Sequence, residues 1–232
     1  MILHRSDIAN MPKIERLNLI NSITGIKPAN LIGTVGKNGI TNLAIFSSVV
    51  HLGSNPALLA FIVRPTGETN RHTYENIKAT GVYTINHIHR LVTTKAHYTS
   101  AKFSEEVSEF DACGFTEEYV NDFAAPFVKE SFLKIGLCFK EELFISHNKT
   151  SMIIGEVEHL ILPDGSVDKE GHLDLEALDG VGISGLSTYY SLKKTSAVSL
   201  CPARRCNSLF TRENTPVIGL LSERSFSCRQ RP

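Results

Sequence analysis

The sequence predicts a mainly β protein: a closed antiparallel barrel with a few helices at its ends. Strand signals outnumber helix signals, and few strand–helix–strand alternations occur. Two long β-rich runs, Leu133 to Ile145 and Ser151 to Leu162, follow each other with only a short break. A doubly wound parallel sheet needs a crossover helix between successive strands, and that alternation is missing.

The elements follow in chain order. The segment up to about Asn30 mixes polar and apolar residues and ends in a Lys27-Pro28 break, so it reads as an arm outside the core. Leu31 to Val35 is a short strand, Gly36-Lys37-Asn38-Gly39 is hairpin-turn chemistry, and Ile40 to Ser48 resumes the strand. Asn55-Pro56 marks the next turn. Ala57 to Val63 is an almost continuous apolar run suited to a strand buried on both faces. A helix follows, with Thr69 and Asn70 as caps, Tyr74, Ile77 and Lys78 on its inner stripe and Gly81 as its stop. Val82 to Ile88 alternates as a half-buried strand. Val92 to Ala101 is helical in pattern, and Phe103 to Phe115 is an acidic loop with a short helix after it. Beyond the two long β runs, Asp164-Gly165-Ser166 is a turn and Leu173 to Leu178 has room for one or two helical turns.

After Lys193-Lys194 the hydrophobic rhythm weakens, and Cys201-Pro202-Ala203-Arg204-Arg205-Cys206 opens a Ser-, Arg- and Cys-rich run to Pro232. The organisation expected is a domain over residues 1–195 and an irregular extension over 196–232. The arginines of the extension are too scattered for a basic anion-binding arm.

Composition excludes several classes of function. The 232 residues carry 24 Lys plus Arg and 24 Asp plus Glu, a formal net charge of zero, so the main driving force for holding a nucleic-acid backbone is absent. No apolar run approaches the roughly 20 residues that cross a bilayer. The opening Met1-Ile2-Leu3-His4-Arg5-Ser6-Asp7 lacks the basic-then-apolar order of a secretory signal. The expectation is a soluble, cytoplasmic chain with no nucleic-acid or membrane partner. Five cysteines cannot all pair within one chain, and none forms a Cys-x-x-Cys, which suits reduced thiols.

Three motifs invite over-reading. Gly180-Val181-Gly182-Ile183-Ser184-Gly185 matches the dinucleotide fingerprint in letters, but no strand–helix–strand unit fits around it, and a tight turn is the better reading. His87-Ile88-His89, with His97 nearby, lacks a carboxylate or thiolate at ligand spacing, so no metal is assigned. Asn148-Lys149-Thr150 is a glycosylation sequon without a secretory context. No nucleophile elbow, phosphate-cradling Walker loop or His-Glu-x-x-His occurs, so hydrolase chemistry has nothing to stand on.

What remains is unusual polarity at strand and helix ends. Asn42 to Ser48 ends a strand in an amide and two hydroxyls, Arg64-Pro65 ends the next, His72-Thr73 opens a helix, and Ala96 to Phe103 adds hydroxyls and a cation. Each residue alone has an ordinary structural reading: strand-end hydrogen bonders, a cap, a solvated charge. Together they suit a phosphorylated planar ligand. Hydroxyls, an arginine and a helix N-terminus can take a phosphate dianion, and strand backbone with an amide can read the edge of a polar ring.

These segments resemble the flavin reductase-like family. The similarity is carried by Asn42-Leu43-Ala44-Ile45-Phe46-Ser47-Ser48-Val49, Leu52-Gly53-Ser54-Asn55-Pro56, Leu58 to Pro65, His72-Thr73-Tyr74-Glu75-Asn76-Ile77 and Thr80 to Asn86. Thr99-Ser100-Ala101, Ser108-Glu109-Phe110 and Gly185-Leu186-Ser187-Thr188-Tyr189-Tyr190 extend it. It is closest to the flavoredoxin-type branch and spans roughly Leu17 to Tyr190.

The resemblance implies an FMN-binding split β-barrel of Greek-key type, usually a homodimer. It also implies FMN as the redox centre, reduced by NADH or NADPH or by a redox protein partner. Asn42, Ser47, Ser48 and Val49 are then expected to line the isoalloxazine and ribityl chain. Arg64 with Pro65, His72, Thr73, Ser100 and Lys102 are expected around the phosphate, and Ala96 and Phe103 along the pocket wall. No side chain need act as a general base, because the flavin carries the chemistry. His97 is a candidate to tune or shield the ring.

From Ser191 onward the match to the family fails. Two other functions stay open at this point: a flavin carrier with no NAD(P)H turnover of its own, and a barrel that has lost its flavin. For the homodimer, Phe123-Ala124-Ala125-Pro126-Phe127 and the runs near Ile135 and Ile153 are candidate seam surface, with filling of each barrel's own core as the alternative.

Overall fold

The computed structural model of the protein describes residues 1–66 and 71–197. The chain divides into two units, Met1–Lys193 and Lys194–Pro232. Of the second, only 194–197 are described, without regular structure, so the sequence-based reading of the extension lies outside the described residues.

The first unit begins with helices α1 (Arg5–Asn10) and α2 (Lys13–Ser22), neither of which buries a residue. The arm expected there is therefore helical but outside the core. Lys27-Pro28 is not a break: it forms the short strand β1, which pairs antiparallel with β11 (Val181–Ser184). β11 in turn pairs with β12 (Thr188–Ser191), closing a three-stranded sheet.

Seven further strands make the main sheet: β2 (Asn30–Val35), β3 (Thr41–Phe46), β4 (Val50–Ser54), β5 (Ala57–Val63), β6 (Val82–His87), β9 (Lys134–Ile145) and β10 (Thr150–Ile161). Their order is β3-β2-β6-β9-β10-β5-β4, and every pairing is antiparallel. The two edge strands, β3 and β4, are joined by only Ser47, Ser48 and Val49. At about 3.3 Å per extended residue such a link is too short to cross an open seven-stranded sheet, so the sheet curls until its edges approach. The edges do not pair with each other, so the expected closed barrel is split between β3 and β4.

Both faces of the sheet are covered. Leu31 belongs to a core with Leu43, Ile88, Phe110, Val128 and Val181, whereas its neighbour Ile32 belongs to another with Phe61, Ile77, Tyr83, Ile85 and Ile153. Alternate residues of one strand thus enter different cores. This corrects the half-buried reading of β6: Tyr83, Thr84, Ile85 and Asn86 are all buried. Its two inward polar groups are satisfied. Thr84 donates to the Pro126 carbonyl (2.7 Å), and Asn86 donates to the Leu31 carbonyl (3.2 Å) and accepts from the Val128 N–H (2.9 Å). Gly33 permits this close approach, since a Cβ there would overlap the Pro126 carbonyl and the Thr84 hydroxyl.

The excursion between β6 and β9 carries a 3-10 turn (Arg90–Val92), α4 (Thr93–Tyr98), α5 (Glu109–Cys113), and the two-residue strands β7 (Glu117–Glu118) and β8 (Phe127–Val128). The helix expected after the acidic loop lies inside it, started by Ser108, whose side chain accepts the Phe110 N–H. α3 (His72–Thr80) stops at Gly81 with φ of 77°, as expected, while its N-cap is Arg71; Thr69 and Asn70 lie outside the described residues. Leu173–Leu178 makes turn bonds such as Leu178 N–H to the Asp174 carbonyl (3.2 Å) but no helix. In the fingerprint segment, Val181–Ser184 is strand and only Gly185 (φ 63°) turns, into β12 and not into a helix. Among the described residues no helix is long and apolar enough to cross a membrane.

Candidate functional site

The N-terminus of α3 meets the edge strand β3. Asn42 donates from Nδ2 to the Thr73 hydroxyl at 3.0 Å, and both side chains are buried. Beside them a polar cleft of about 70 Å³ is lined by Asn38, Thr41, Asn42, His72, Glu75 and Asn76, with Glu105 at its rim.

Arg64 and Pro65 follow β5 and are exposed. Arg71 donates from Nε to the Pro65 carbonyl (3.2 Å), which brings the end of β5 to the start of α3. Partial burial lowers the Arg71 pKa, and the charge of Arg64 lowers it further, so the two guanidinium groups lie in each other's field. Arg64 has no hydrogen-bond or ion-pair partner among the described residues. A cation at the positive end of a helix opposes the helix dipole, yet Arg71 occupies the N-cap of α3, with His72 as its first residue. Sequence reasoning missed Arg71. The signal that could have found it is this unfavourable placement of an arginine at a helix start.

The β3–β4 link holds three more of the expected residues. The Ser48 hydroxyl accepts the Ile62 N–H (3.0 Å) and donates to the Ile62 carbonyl (3.3 Å), so it pins the link to β5 two residues before Arg64. Its side chain is engaged in the fold. Ser47 is half-buried and makes no hydrogen bond among the described residues, and Val49 packs against the core of Phe46 and Phe61.

The remaining candidates lie after α4. The Ser100 hydroxyl donates to the His97 carbonyl (2.6 Å), Lys102 is exposed, and Phe103 is half-buried. No bond ties these three to the Arg64–Arg71 cluster. Ala96 has no exposed surface and packs with Leu43, Ile88 and Phe110 in the core. His97 Nδ1 lies 3.1 Å from the Tyr189 hydroxyl, and burial pushes Tyr189 up to about 12.

A second residue missed by the sequence is Glu109, at the start of α5. It is 5% exposed, and its Oε2 accepts the Leu43 N–H of β3 at 3.0 Å. Burial raises its pKa, against the pull of backbone N–H bonds from Leu43 and its own residue and of nearby His72. In the sequence Glu109 looks like one more acid in an acidic loop. Ser108-Glu109-Phe110 is among the segments that carry the family resemblance, with no site role assigned to it; Ser108 as a helix cap is the signal that could have shown a fixed carboxylate there.

The histidine pair sits apart from this region. His87 and His89 line a void of about 10 Å³ with Phe132, Leu133 and Gly180. Burial holds His87 down at about 4, and His89 Nε2 lies 3.1 Å from the Glu130 carbonyl. Among the described residues, the one group of three potential metal ligands is Asp168, Glu170 and His172, all exposed.

Residues 26–176, more than half of the chain, match the profile of the flavin reductase like domain. The crystal structure of a protein assigned as a flavin reductase with split barrel domain from Shewanella frigidimarina NCIMB 400 is 44% identical. Superposition covers 87% of this chain and 100% of that one, with a TM-score of 0.83. An uncharacterized protein of Aquifex aeolicus (strain VF5) is 27% identical over 165 residues, 71% of this chain and 83% of that protein. Flavoredoxin of Desulfovibrio vulgaris (Miyazaki F) is 23% identical and shares the fold, with a TM-score of 0.65 over 75% of this chain and 91% of its own. With its split antiparallel barrel and the profile match over most of that barrel, the chain belongs to the flavin reductase like domain family.

Proposed function

We propose that the protein binds FMN non-covalently and passes electrons through it, as an oxidoreductase that takes them from NADH or NADPH. The observation that carries this reading is that Arg64 and Arg71 lie in each other's field at the N-terminus of α3, where the dipole alone disfavours cations. An anion relieves that conflict, and a phosphate dianion also satisfies the open backbone N–H groups of the first helical turn. The 44% identical Shewanella protein, assigned as a flavin reductase, supports the same reading.

The residues present fit the group in two parts. At the phosphate end, Arg64 and Arg71 supply charge-assisted hydrogen bonds, and Ser100 and Lys102 extend the set. At the ring end, the unpartnered hydroxyl of Ser47 and the open edge of β3 offer polar contacts, with Val49 and Phe103 as apolar surface. Asn42 and Thr73 hold each other, so their part is to fix β3 against α3. When bound, the flavin supplies hydride acceptance and onward electron delivery. The chain's own residues bind it, orient it and keep water from one ring face.

A homodimer joined by a two-fold axis belongs to this reading, with a flavin site near the seam. Reduced Cys113 and Cys138 fit a cytoplasmic setting. The test is the visible spectrum of the purified protein with and without FMN, followed by fluorescence titration with FMN and riboflavin. Tighter binding of FMN, reduced rapidly by NADH or NADPH under anaerobic conditions, is expected. A flavin that binds but resists both nucleotides makes the protein a carrier fed by a redox protein. A colourless protein that FMN does not stabilise against heat overturns the flavin reading.

A further inference from the structure

We propose that Glu109 is a positioning residue for the flavin: it caps one backbone donor on the edge of β3 and so presents the next donor to the ring. This inference rests on the FMN reading above.

β3 ends the seven-stranded order, so one row of its backbone groups has no strand beside it. In an antiparallel ladder, successive residues point their N–H and C=O groups alternately toward and away from the neighbouring strand. The Leu43 N–H goes to Glu109, away from β2, so Thr41 and Ile45 share that outward orientation. The Thr41 side chain donates to Glu117 Oε1 and lies in hydrogen-bond contact with the Ser108 hydroxyl, both at 2.6 Å, which holds the start of β3 against the segment that carries α5. Leu43 is occupied by Glu109. Ile45 is the next outward residue, and its outward backbone groups have no partner among the described residues.

An open strand edge invites pairing with another chain, and proteins block such edges locally. Here the block stops after Leu43. On the Ser47 side it leaves the Ile45 donor–acceptor pair open, at the end of β3 where the ring end of the site lies. Glu109 suits the task because it is buried and fixed: α5 is anchored by the Ser108 cap and by Phe110, which is fully buried. The groups facing Glu109 are the Leu43 N–H, its own backbone N–H, His72 of α3 and the Cys113 thiol of its own helix.

The experiment compares Glu109→Ala, Glu109→Asp and Glu109→Gln. Glutamine keeps a carbonyl oxygen for the Leu43 N–H. Aspartate keeps the charge but is one methylene too short. Loss of a backbone hydrogen bond to the ring corresponds to roughly two- to tenfold in affinity. The expected result is that Glu109→Asp and Glu109→Ala weaken FMN and riboflavin to the same extent, and shift the visible band of bound flavin. Glu109→Gln restores both affinity and band position. Unchanged affinity in Glu109→Ala overturns the proposal. So does a loss that glutamine leaves unrescued while the unfolding midpoint of the flavin-free protein falls in step. Should the alanine variant fail to fold, the aspartate and glutamine pair decides alone. Wild-type protein that binds neither flavin refutes the FMN reading itself, which separates the two failures.

Discussion

Asn42 and Thr73 are bonded to each other, Nδ2 to Oγ1 at 3.0 Å, and this bond fastens the free edge strand of the sheet to the first turn of α3. Both residues are buried, so little water is at hand to replace either partner. Thr73→Val keeps the shape and removes the acceptor, leaving the Asn42 amide buried without a partner. The expected loss is about 1–3 kcal/mol of stability, read as a lower midpoint in urea. Thr73→Ser should recover most of it. Equal stability of the valine variant would show that the bond contributes nothing.

Arg71 should behave in the opposite way. It is placed against the helix dipole and in the field of Arg64, so the flavin-free fold gains little from its charge. Arg71→Ala is expected to weaken FMN roughly tenfold or more, the worth of one charge-assisted hydrogen bond. Riboflavin, which lacks the phosphate, should bind as before, and the unfolding midpoint of the flavin-free protein should hold or rise. A matching loss of riboflavin affinity would place Arg71 away from the phosphate. Arg64→Ala is expected to give the same separation.

The strands were legible where their pattern was long or strongly apolar. β9 and β10 run 12 residues each and were placed within two residues of their ends. β1 and β11 were not legible, because pairing a two-residue segment with a Gly-containing one leaves almost no periodic signal. α2 escaped for a related reason: its apolar residues Ile14, Leu17 and Ile20 stay exposed, so no partner imposed a recognisable polar face opposite them. At the site, Arg64, His72 and Thr73 stood out as polar residues ending strands or opening a helix. Glu109 did not, since its meaning depends on a contact with Leu43 that is 66 positions away. The burial of Ala96 was not legible either, because a small residue in a helix reads equally well as wall or core.

Acid should loosen the packing of α3 on the barrel. Glu142 of β9 accepts from the Ser151 hydroxyl (2.6 Å), from Tyr74 (3.1 Å) and from Lys78 (3.2 Å). Ser151 chiefly, then Lys78 and Tyr74, hold its carboxyl below the usual range despite the opposing effect of burial. A carboxyl lowered on folding stabilises fully above its unfolded pKa, about 4.3. That contribution fades as pH falls through the lower folded value. Lys78 is 41% exposed on its side chain, so the ion pair itself adds little, and the neutral hydrogen-bond donors carry most of the effect. Glu142→Gln should therefore flatten the acid limb of a stability–pH curve below about pH 4.3 and cost about 1–3 kcal/mol near neutrality. An unchanged acid limb would remove Glu142 from the account.

The homodimer prediction now rests on different residues from those the sequence offered. Phe123, Ala125 and Phe127 are buried together in a cluster of their own, and Ile135 and Ile153 fill the core with Phe61 and Tyr83. None of them is available as seam surface. Val50 and Leu52 are available: they are 46% and 44% exposed on β4, the other edge of the seven-stranded sheet. His51 between them is exposed too, so this strand lacks cover on its faces as well as along its edge. An apolar edge strand left bare is a site of association unless something covers it. A second copy meets the need with the symmetry commonest among identical subunits. On the proposed function, the same operation would cover a flavin at the β3–β4 link, because β4 begins directly after Val49. Sedimentation at micromolar concentration should therefore give a dimer. Leu52→Lys should shift it toward monomer and weaken FMN at the same time, since site and seam share this link. A wild-type monomer that holds FMN stoichiometrically would refute the shared seam.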